Sequence, residues 1–520
     1  MRIQADMYAV ELGAALLLQF ETPTGVVRIL ADAGRETYRV NDRLADSVRD
    51  FGGGKLRIDL MIGTHYDADH LDGLVDIINN EVVEIGEAWL PPIANDTEFV
   101  VAGSPVRDSS LLALQLALED GPAVLRNYLN AKADLCDHLA TVERRADRPR
   151  GIEPRAVNRS VELRMRWQNA YRHADTRELA RLHFEAELKD AEVTIGQSRP
   201  GHADEETADP WRVKELLDGF VAEDPWWPRH RPFSDDLSDV EVVGTAEAQT
   251  LALVRQSAAR DAINASSLAA VVEALKHRGV NIRSAIIPDG EPRKFGWVRG
   301  QGEGGRFEPA RPADTDAPEI VLLGPSEALV DKFRVQLPIG TYLFAARMAT
   351  IPVASITASN QLSYSMVVEH LGQRILVSGD AGANDFRPGT SAPYYPKLIA
   401  ELAPLNVVQV AHHGGANAHF YRVLLDAAYP GQPETTYLLL SHKTHDTKRP
   451  SGVFSLFIAA LRRTPSNTQL LFTSKPLETM VRDVVSYIAP VEGPPGKTGN
   501  LRLVYDTDGW TVEAHAVAVR

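Results

Sequence analysis

The chain has 520 residues, a formal net charge of −15 and a single cysteine. One thiol excludes an internal disulfide framework, and Cys136 reads as an ordinary buried thiol rather than a nucleophile; no apolar run reaches the length of a membrane span. The acidic balance argues against broad, non-specific affinity for nucleic acid, although carboxylates that ligate metal enter the count before a cation offsets them.

The start, MRIQAD, has a charge but no apolar segment behind it, so no signal peptide is expected, and a cytoplasmic location fits the lone cysteine. VELGAALLLQF at 10–20 reads as strand, tight turn at Gly13, strand. TPTG at 22–25 signals a hairpin turn before a strand at 26–31, which ends in Asp32-Ala-Gly34. A short helix is expected over 41–49 with Asn41 or Asp42 as N-cap. IDLMI at 58–62 reads as a buried strand, 71–79 as a helix, and 87–92 as the next core strand.

Between that buried strand and its helix lies THYDADHLDG at 64–73. Four side chains able to bind metal, His65, Asp67, Asp69 and His70, fall within six positions on a strand-to-helix turn. His65 and Asp67 alternate with Tyr66, so both can point to one side; Asp69 and His70 begin the helix and turn back to the same pocket. Imidazole nitrogens and carboxylate oxygens hold Zn²⁺ or a similar first-row ion, and such acids are costly to bury unless a cation neutralises them.

From about 104 to about 283 the apolar period shifts to near 3.6, which predicts a mostly helical insertion. Residues 144–181 hold eleven arginines against five acids. They suit a solvated helical face laced with pairs such as Glu162–Arg166 and Glu178–Arg181, or a basic lid that grips phosphate. DPWWPRHRP at 224–232 reads as a Pro-framed packing loop, with base stacking as the other possibility; His202 and His230 sit in loops and carry no assignment.

Further strands are expected at 285–288, 320–324, 359–369, 374–380, 406–412, 436–440 and 470–474, with a last hairpin over 501–517 closing the second sheet around Asp508-Gly509. Three of these deliver chemistry at their ends. RILVSGD places Asp380 at the end of a buried strand, well positioned to bridge two ions. VVQVAHHGG places His412 as the first polar residue after its strand, with His413 as the other ligand or as a substrate contact. TYLLLSHKTH offers His445 or His442, and Lys443, Lys448 and Arg449 are cations able to meet a phosphate.

THYDADHLDG resembles the H-x-[HD]-x-D-H-x-x-G motif of the metallo-β-lactamase superfamily. With Asp as second ligand it is similar to the hydrolase domain of the ComEC-like subgroup and to teichoic acid phosphorylcholine esterases. LLGPS at 322–326, the Asn360 and Ser363 strand, the Gly-Asp at Asp380 and the HHG at 412–414 resemble later elements of that subgroup, in order. Asp72 stands where relatives carry Gly, Gly415 where they carry Ser, and Arg449 precedes Pro450 where they often place a final His. The resemblance implies an α/β (α+β) fold, an αββα sandwich, divided as 1–103 first half, 104–283 helical insertion or cap, and 284–520 second half. It also implies that Asp32 supports the ligands from behind and that Asp380 is the shared ligand.

The expected centre therefore has two divalent ions, Zn²⁺ or Mn²⁺. His65, Asp67 and His412 would hold one; Asp69, His70 and His445 or His442 the other; Asp380 both. The expected catalytic set is Asp69, Asp380 and His413. The expected activity is that of a phosphodiesterase or nuclease using a hydroxide held between the ions, with nucleic acid or a phosphorylated small molecule as substrate. Small-molecule phosphodiester or ester hydrolysis is one alternative. Another is an interaction protein with a structural or regulatory metal site and a partner docked on the helical insertion.

Overall fold

Apolar runs bounded by turn residues become the strands of two mixed sheets in the computed structural model. It describes residues 1–91, 176–196, 245–300, 304–309, 316–330, 358–387, 392–427, 434–444, 446–447, 449–461, 467–477, 487–488 and 499–516, together with 313, 463 and short pieces between 125 and 166. The first sheet contains β1 (Ile3–Met7), β2 (Leu16–Thr22), β3 (Gly25–Ala31), β4 (Arg57–Ile62), β5 (Glu84–Trp89), β6 (Asn281–Arg283), β16 (Gly499–Asp506) and β17 (Gly509–Ala516). Their order is β17-β16-β1-β2-β3-β4-β5-β6. The second contains β7 (Arg293–Arg299), β8 (Gly305–Pro309), β9 (Glu319–Gly324), β10 (Ser365–His370), β11 (Gln373–Val377), β12 (Val407–Gln409), β13 (Thr436–Leu440), β14 (Thr468–Phe472) and β15 (Tyr487–Ile488), ordered β15-β14-β13-β12-β11-β10-β9-β7-β8.

In each sheet the strands that lead into the site, β3–β4–β5 and β11–β12–β13, pair in parallel. Parallel strands are covered on both faces, which is why IDLMI and TYLLL are nearly continuous in apolar character. Ile3, Ala5, Leu16, Leu18 and Phe20 of the first sheet share one buried cluster with Met366, Val368 and Ile375 of the second. Trp89 packs edge-on to Phe295 at 4.8 Å within it.

Leu17, Leu30 and Met61, which alternate with the core residues Leu16, Ile29 and Leu60, face helices instead, as a period of two requires. Those helices are α1 (Val40–Asp50), α2 (Ala68–Asn79) and the C-terminal part of α4 (Thr245–His277), which follows α3 (Thr176–Gly196) in the chain. Leu268, Val271, Val272 and Leu275 of α4 lie at helical spacing in this second cluster, each stabilising it by about 2 kcal/mol on burial. On the other sheet, α5 (Ala418–Asp426) and α6 (Gly452–Leu461) pack through Phe420, Tyr421, Phe454 and Phe457.

Five local expectations are corrected. The segment 359–369 is not strand throughout: Ala358–Gln361 is a short helical turn and the strand runs Ser365–His370. The first strand is Ile3–Met7, and 8–15 is a loop rather than a strand and turn; a Cβ at Gly13 would lie 2.1 Å from the Asp69 carbonyl oxygen, so this glycine lets the loop approach the turn that carries Asp69. Helix α1 begins at Val40 with Arg39 in the left-handed region, not after Asn41 or Asp42. The strand re-entering the first sheet is Asn281–Arg283, and at 285–288 only Ile287 makes a bridge, to Ser326. The last hairpin joins the first sheet, not the second: β16 pairs with β1, Ile3 opposite Tyr505. Its Leu501 and Leu503 complete the core beside Ile3 and Ala5, and it covers the edge that β1 would leave open.

Candidate metal centre

The site forms where the C-terminal ends of parallel strands from both sheets meet. After β4, residues 63–67 carry Thr64 and His65 into the interior, and α2 then starts at Ala68. His65 and His70 are both fully buried, with ring centroids 3.9 Å apart. After β11, Gly379 has a φ of 49°, and a Cβ there would fall 2.4 Å from the Thr64 hydroxyl. Glycine is thus what allows this strand end to pass Thr64 and bring in Asp380. After β12, His412, His413 and Gly414 have φ of 54°, 54° and 75°, a run of left-handed residues that turns the two imidazoles in different directions. Such backbone conformations in residues other than glycine cost energy and persist where the surroundings enforce them.

Asp380 stands between two groups of side chains able to ligate a metal. Its Oδ2 lies 3.8 Å from His65 Nε2, which is 3.8 Å from Asp67 Oδ2. Its Oδ1 lies 3.6 Å from His70 Nε2 and 3.6 Å from His413 Nε2. Asp69, His70 and His413 have ligand atoms within 4.8 Å of one another. The Nε2 atoms of His65, His70 and His413 are buried without a hydrogen-bond partner. Buried polar atoms are ordinarily paired, so three orphaned nitrogens aimed at carboxylates need an explanation. Ligands about 2.1 Å from a tetrahedral ion sit about 3.4 Å from one another, close to these separations. The residues therefore form groupings that could hold a metal ion.

Support from behind is hydrogen-bonded. Asp32, fully buried with a φ of 59°, accepts from the Thr64 backbone N–H at 2.7 Å and from its hydroxyl at 2.6 Å. The same carboxylate meets His70 Nδ1 at 2.8 Å; an Nδ1–H donating there leaves Nε2 to face the cage, the arrangement by which metal-binding histidines are usually oriented. Asp67 is held from α4: Asn264 Nδ2 donates to Asp67 Oδ1 at 2.8 Å. Asp72 accepts from the Ser267 hydroxyl at 2.6 Å, so it anchors α2 to α4.

The protonation pattern follows from this crowding. Burial pushes Asp380 up, but His413, His70, His412 and His65 outweigh it and hold the carboxyl far below its usual range. Burial pulls His70 down, yet Asp32 and Asp380 raise it to about 10. Burial takes His413 down to about 3 and also lowers His412, with Arg449 adding to the effect. Asp67 is raised by burial and, against His65, by Asp69 and Asp380.

Of the residues singled out from sequence, His65, Asp67, Asp69, His70, Asp380 and His413 converge. His412 stands beside them but is differently engaged: its backbone N–H donates to Asp380 Oδ1 at 3.2 Å, and its Nε2 lies 3.0 Å from Arg449 Nη2. His442 is buried away from the cage, with Nδ1 2.7 Å from the Ser474 hydroxyl and Nε2 3.1 Å from the Arg449 carbonyl oxygen. It braces the segment that carries Arg449. His445 and Lys448 lie outside the described residues, as do His202, His230 and the loop at 224–232. Thr64, Asn264 and Ser267 escaped sequence reasoning; the one signal was a cluster of Asn and Ser in the middle of a helix, where such side chains are poor formers unless they have a partner.

A cleft of about 460 Å³ opens at Asp69. Arg35, Arg181 and Lys443 line it together with Glu11, Glu36, Asp72 and Glu185, so one arginine of the Arg-rich stretch, Arg181 on α3, does reach the site. Among the described residues no helix is long and apolar enough to cross a membrane. In comparison with known proteins, the chain matches no family model and no curated protein.

Proposed function

We propose that the chain is a dinuclear metal-dependent hydrolase of the metallo-β-lactamase type, with an αββα sandwich and a helical insertion, and that it cleaves phosphodiesters. The observation that carries the reading is Asp380: its two carboxylate oxygens face two separate sets of ligands whose buried ring nitrogens lack other partners. His65 and Asp67 would hold one ion, Asp69, His70 and His413 the other, with Asp380 shared; Zn²⁺ and Mn²⁺ both suit this mixture of imidazole and carboxylate. Bound ions supply Lewis acidity and a water nucleophile active near neutral pH.

The protein's own groups do the rest. Asp32 fixes the ring of His70, and Asn264 fixes Asp67. Asp69 and Asp380 orient the attacking water, and His413 stands beside both. Arg449, whose guanidinium touches the His412 ring, is a cation suited to a non-bridging phosphoryl oxygen. Asp380→Ala is expected to abolish hydrolysis of single-stranded DNA, RNA and a nitrophenyl phosphodiester in Mn²⁺ or Zn²⁺. Unchanged turnover in the purified variant would rule the mechanism out.

The cleft favours a second reading, a small phosphorylated substrate. Acids outnumber cations along its walls, whereas a groove for a polyanionic strand is lined with positive charge. Faster turnover of the nitrophenyl diester than of either nucleic acid would select it. Metal-loaded protein that cleaves none of the three yet retains a stable protein partner would favour an interaction role.

A further inference from the structure

We propose that Asn264, from the helical insertion, is a positioning residue for the half of the centre built on His65 and Asp67, so that α4 is a working part of the metal site and not a cover over it. The proposal rests on the metal-binding reading above. Asp67 is the N-cap of α2, with the extended backbone that position requires, yet its side chain makes no capping hydrogen bond. An N-cap aspartate ordinarily accepts from an N–H of the first helical turn. Here Asn264 takes over as acceptor. The Ala68 backbone N–H donates to Asn264 Oδ1 at 3.2 Å, and Asn264 Nδ2 donates to Asp67 Oδ1 at 2.8 Å.

The donor at Ala68 settles which way the amide faces, since only its oxygen can accept from an N–H. The amino group must then point at Asp67. While Oδ1 of Asp67 accepts from Asn264, its Oδ2 faces His65 Nε2 at 3.8 Å.

The position of Asn264 is fixed in turn. One turn on, the Ser267 hydroxyl donates to Asp72 at 2.6 Å. Beyond the end of α4, Arg278 donates to the carbonyl oxygens of Ile78, Asn80 and Val83 at 2.8, 3.1 and 2.9 Å. The apolar stripe at 268, 271, 272 and 275 lies between these polar contacts. A helix held this tightly transmits the orientation of its amide to the carboxylate. By linkage, an ion that pulls on Asp67 must steady α4 as much as α4 steadies the ion.

Calorimetric titration of the ion-free full chain with Zn²⁺ or Mn²⁺ alone tests this. Asn264→Ala removes both bonds; Asn264→Asp keeps the acceptor for Ala68 and loses the donor to Asp67. In both variants one of the two sites is expected to weaken by about 10–100-fold, the usual effect of losing a partner behind a ligand, while the other keeps its affinity. Two sites of wild-type affinity in both variants would overturn the proposal and leave the hydrolase reading intact. A wild-type chain that binds no ion would overturn both. Should a variant fail to fold, amide hydrogen exchange of the wild-type chain decides: slower exchange in α4 on ion binding supports the coupling, and unchanged exchange with both ions bound refutes it.

Discussion

Two of the clusters of buried charge among the described residues are finished differently. In the helical insertion, Arg255 donates to both oxygens of Glu143 at 2.8 and 2.7 Å, to Glu187 at 2.8 Å, and pairs with Asp190 at 2.8 Å. Thr194 adds a further bond to Glu143, and the Cys136 thiol contacts the Arg255 carbonyl oxygen. Here the positive charge is one the chain itself supplies. At the candidate metal centre Asp380 and the imidazoles of His65, His70 and His413 are buried too, yet the three Nε2 atoms have no hydrogen-bond partner. A closed network of this kind specifies a packing arrangement; the open one is what the proposed cations would complete.

Breaking the closed cluster should have the larger effect on stability. Arg255→Met removes the guanidinium that Glu143 and Glu187 share, and removing one partner of a buried ionic network costs about 3–5 kcal/mol. Denaturant unfolding should register that loss with and without a chelator alike. If the loss disappeared when metal was withdrawn, the two clusters would not be independent as described.

Withdrawing metal should expose the open cluster. An ion present at about a hundred times its dissociation constant stabilises the native state by about 2.7 kcal/mol. Chelation should therefore lower the melting temperature of the wild-type chain, and added Mn²⁺ or Zn²⁺ should restore it. Asp380→Asn should respond far less, having lost the charge both groups share. Identical melting of the wild-type chain with and without ions would close the metal reading.

The same contrast explains what could be read from the sequence. The first ligand group is local: a buried strand, a turn and a helix start within the dozen residues that hold His65 to His70, and apolar periodicity exposes each part. Asp380 and the HHG turn were legible as polar residues ending apolar strands. The ring direction at His412 and His413 was not, because it depends on consecutive left-handed residues whose φ nothing in the tripeptide dictates. Nor was the partner of the last hairpin, since β16 meets β1 across almost the whole chain and both sheets offered an apolar edge. Asn264 was hidden for the same reason: its partners, Asp67 and Ala68, lie almost two hundred residues away.

The smallest expected effect concerns protons, and its sign follows from His70. Burial alone would keep this imidazole neutral, but Asp32 and Asp380 raise it to about 10 from an ordinary value of 6.5. A raised histidine stabilises the ion-free fold fully below about 6.5, and that contribution is lost as pH rises through about 10. At pH 7 the ring is then protonated, and an ion can reach Nε2 only by displacing that proton. His413, lowered to about 3, is neutral already and has none to release. Affinity should consequently rise with pH, by about tenfold per unit for one displaced proton, and flatten as pH approaches 10. Calorimetry at pH 7 in two buffers of different ionisation enthalpy would count the release. About one proton is expected for the ion that His70 binds, and a count of zero would mean that Asp32 does not hold His70 charged in the ion-free protein.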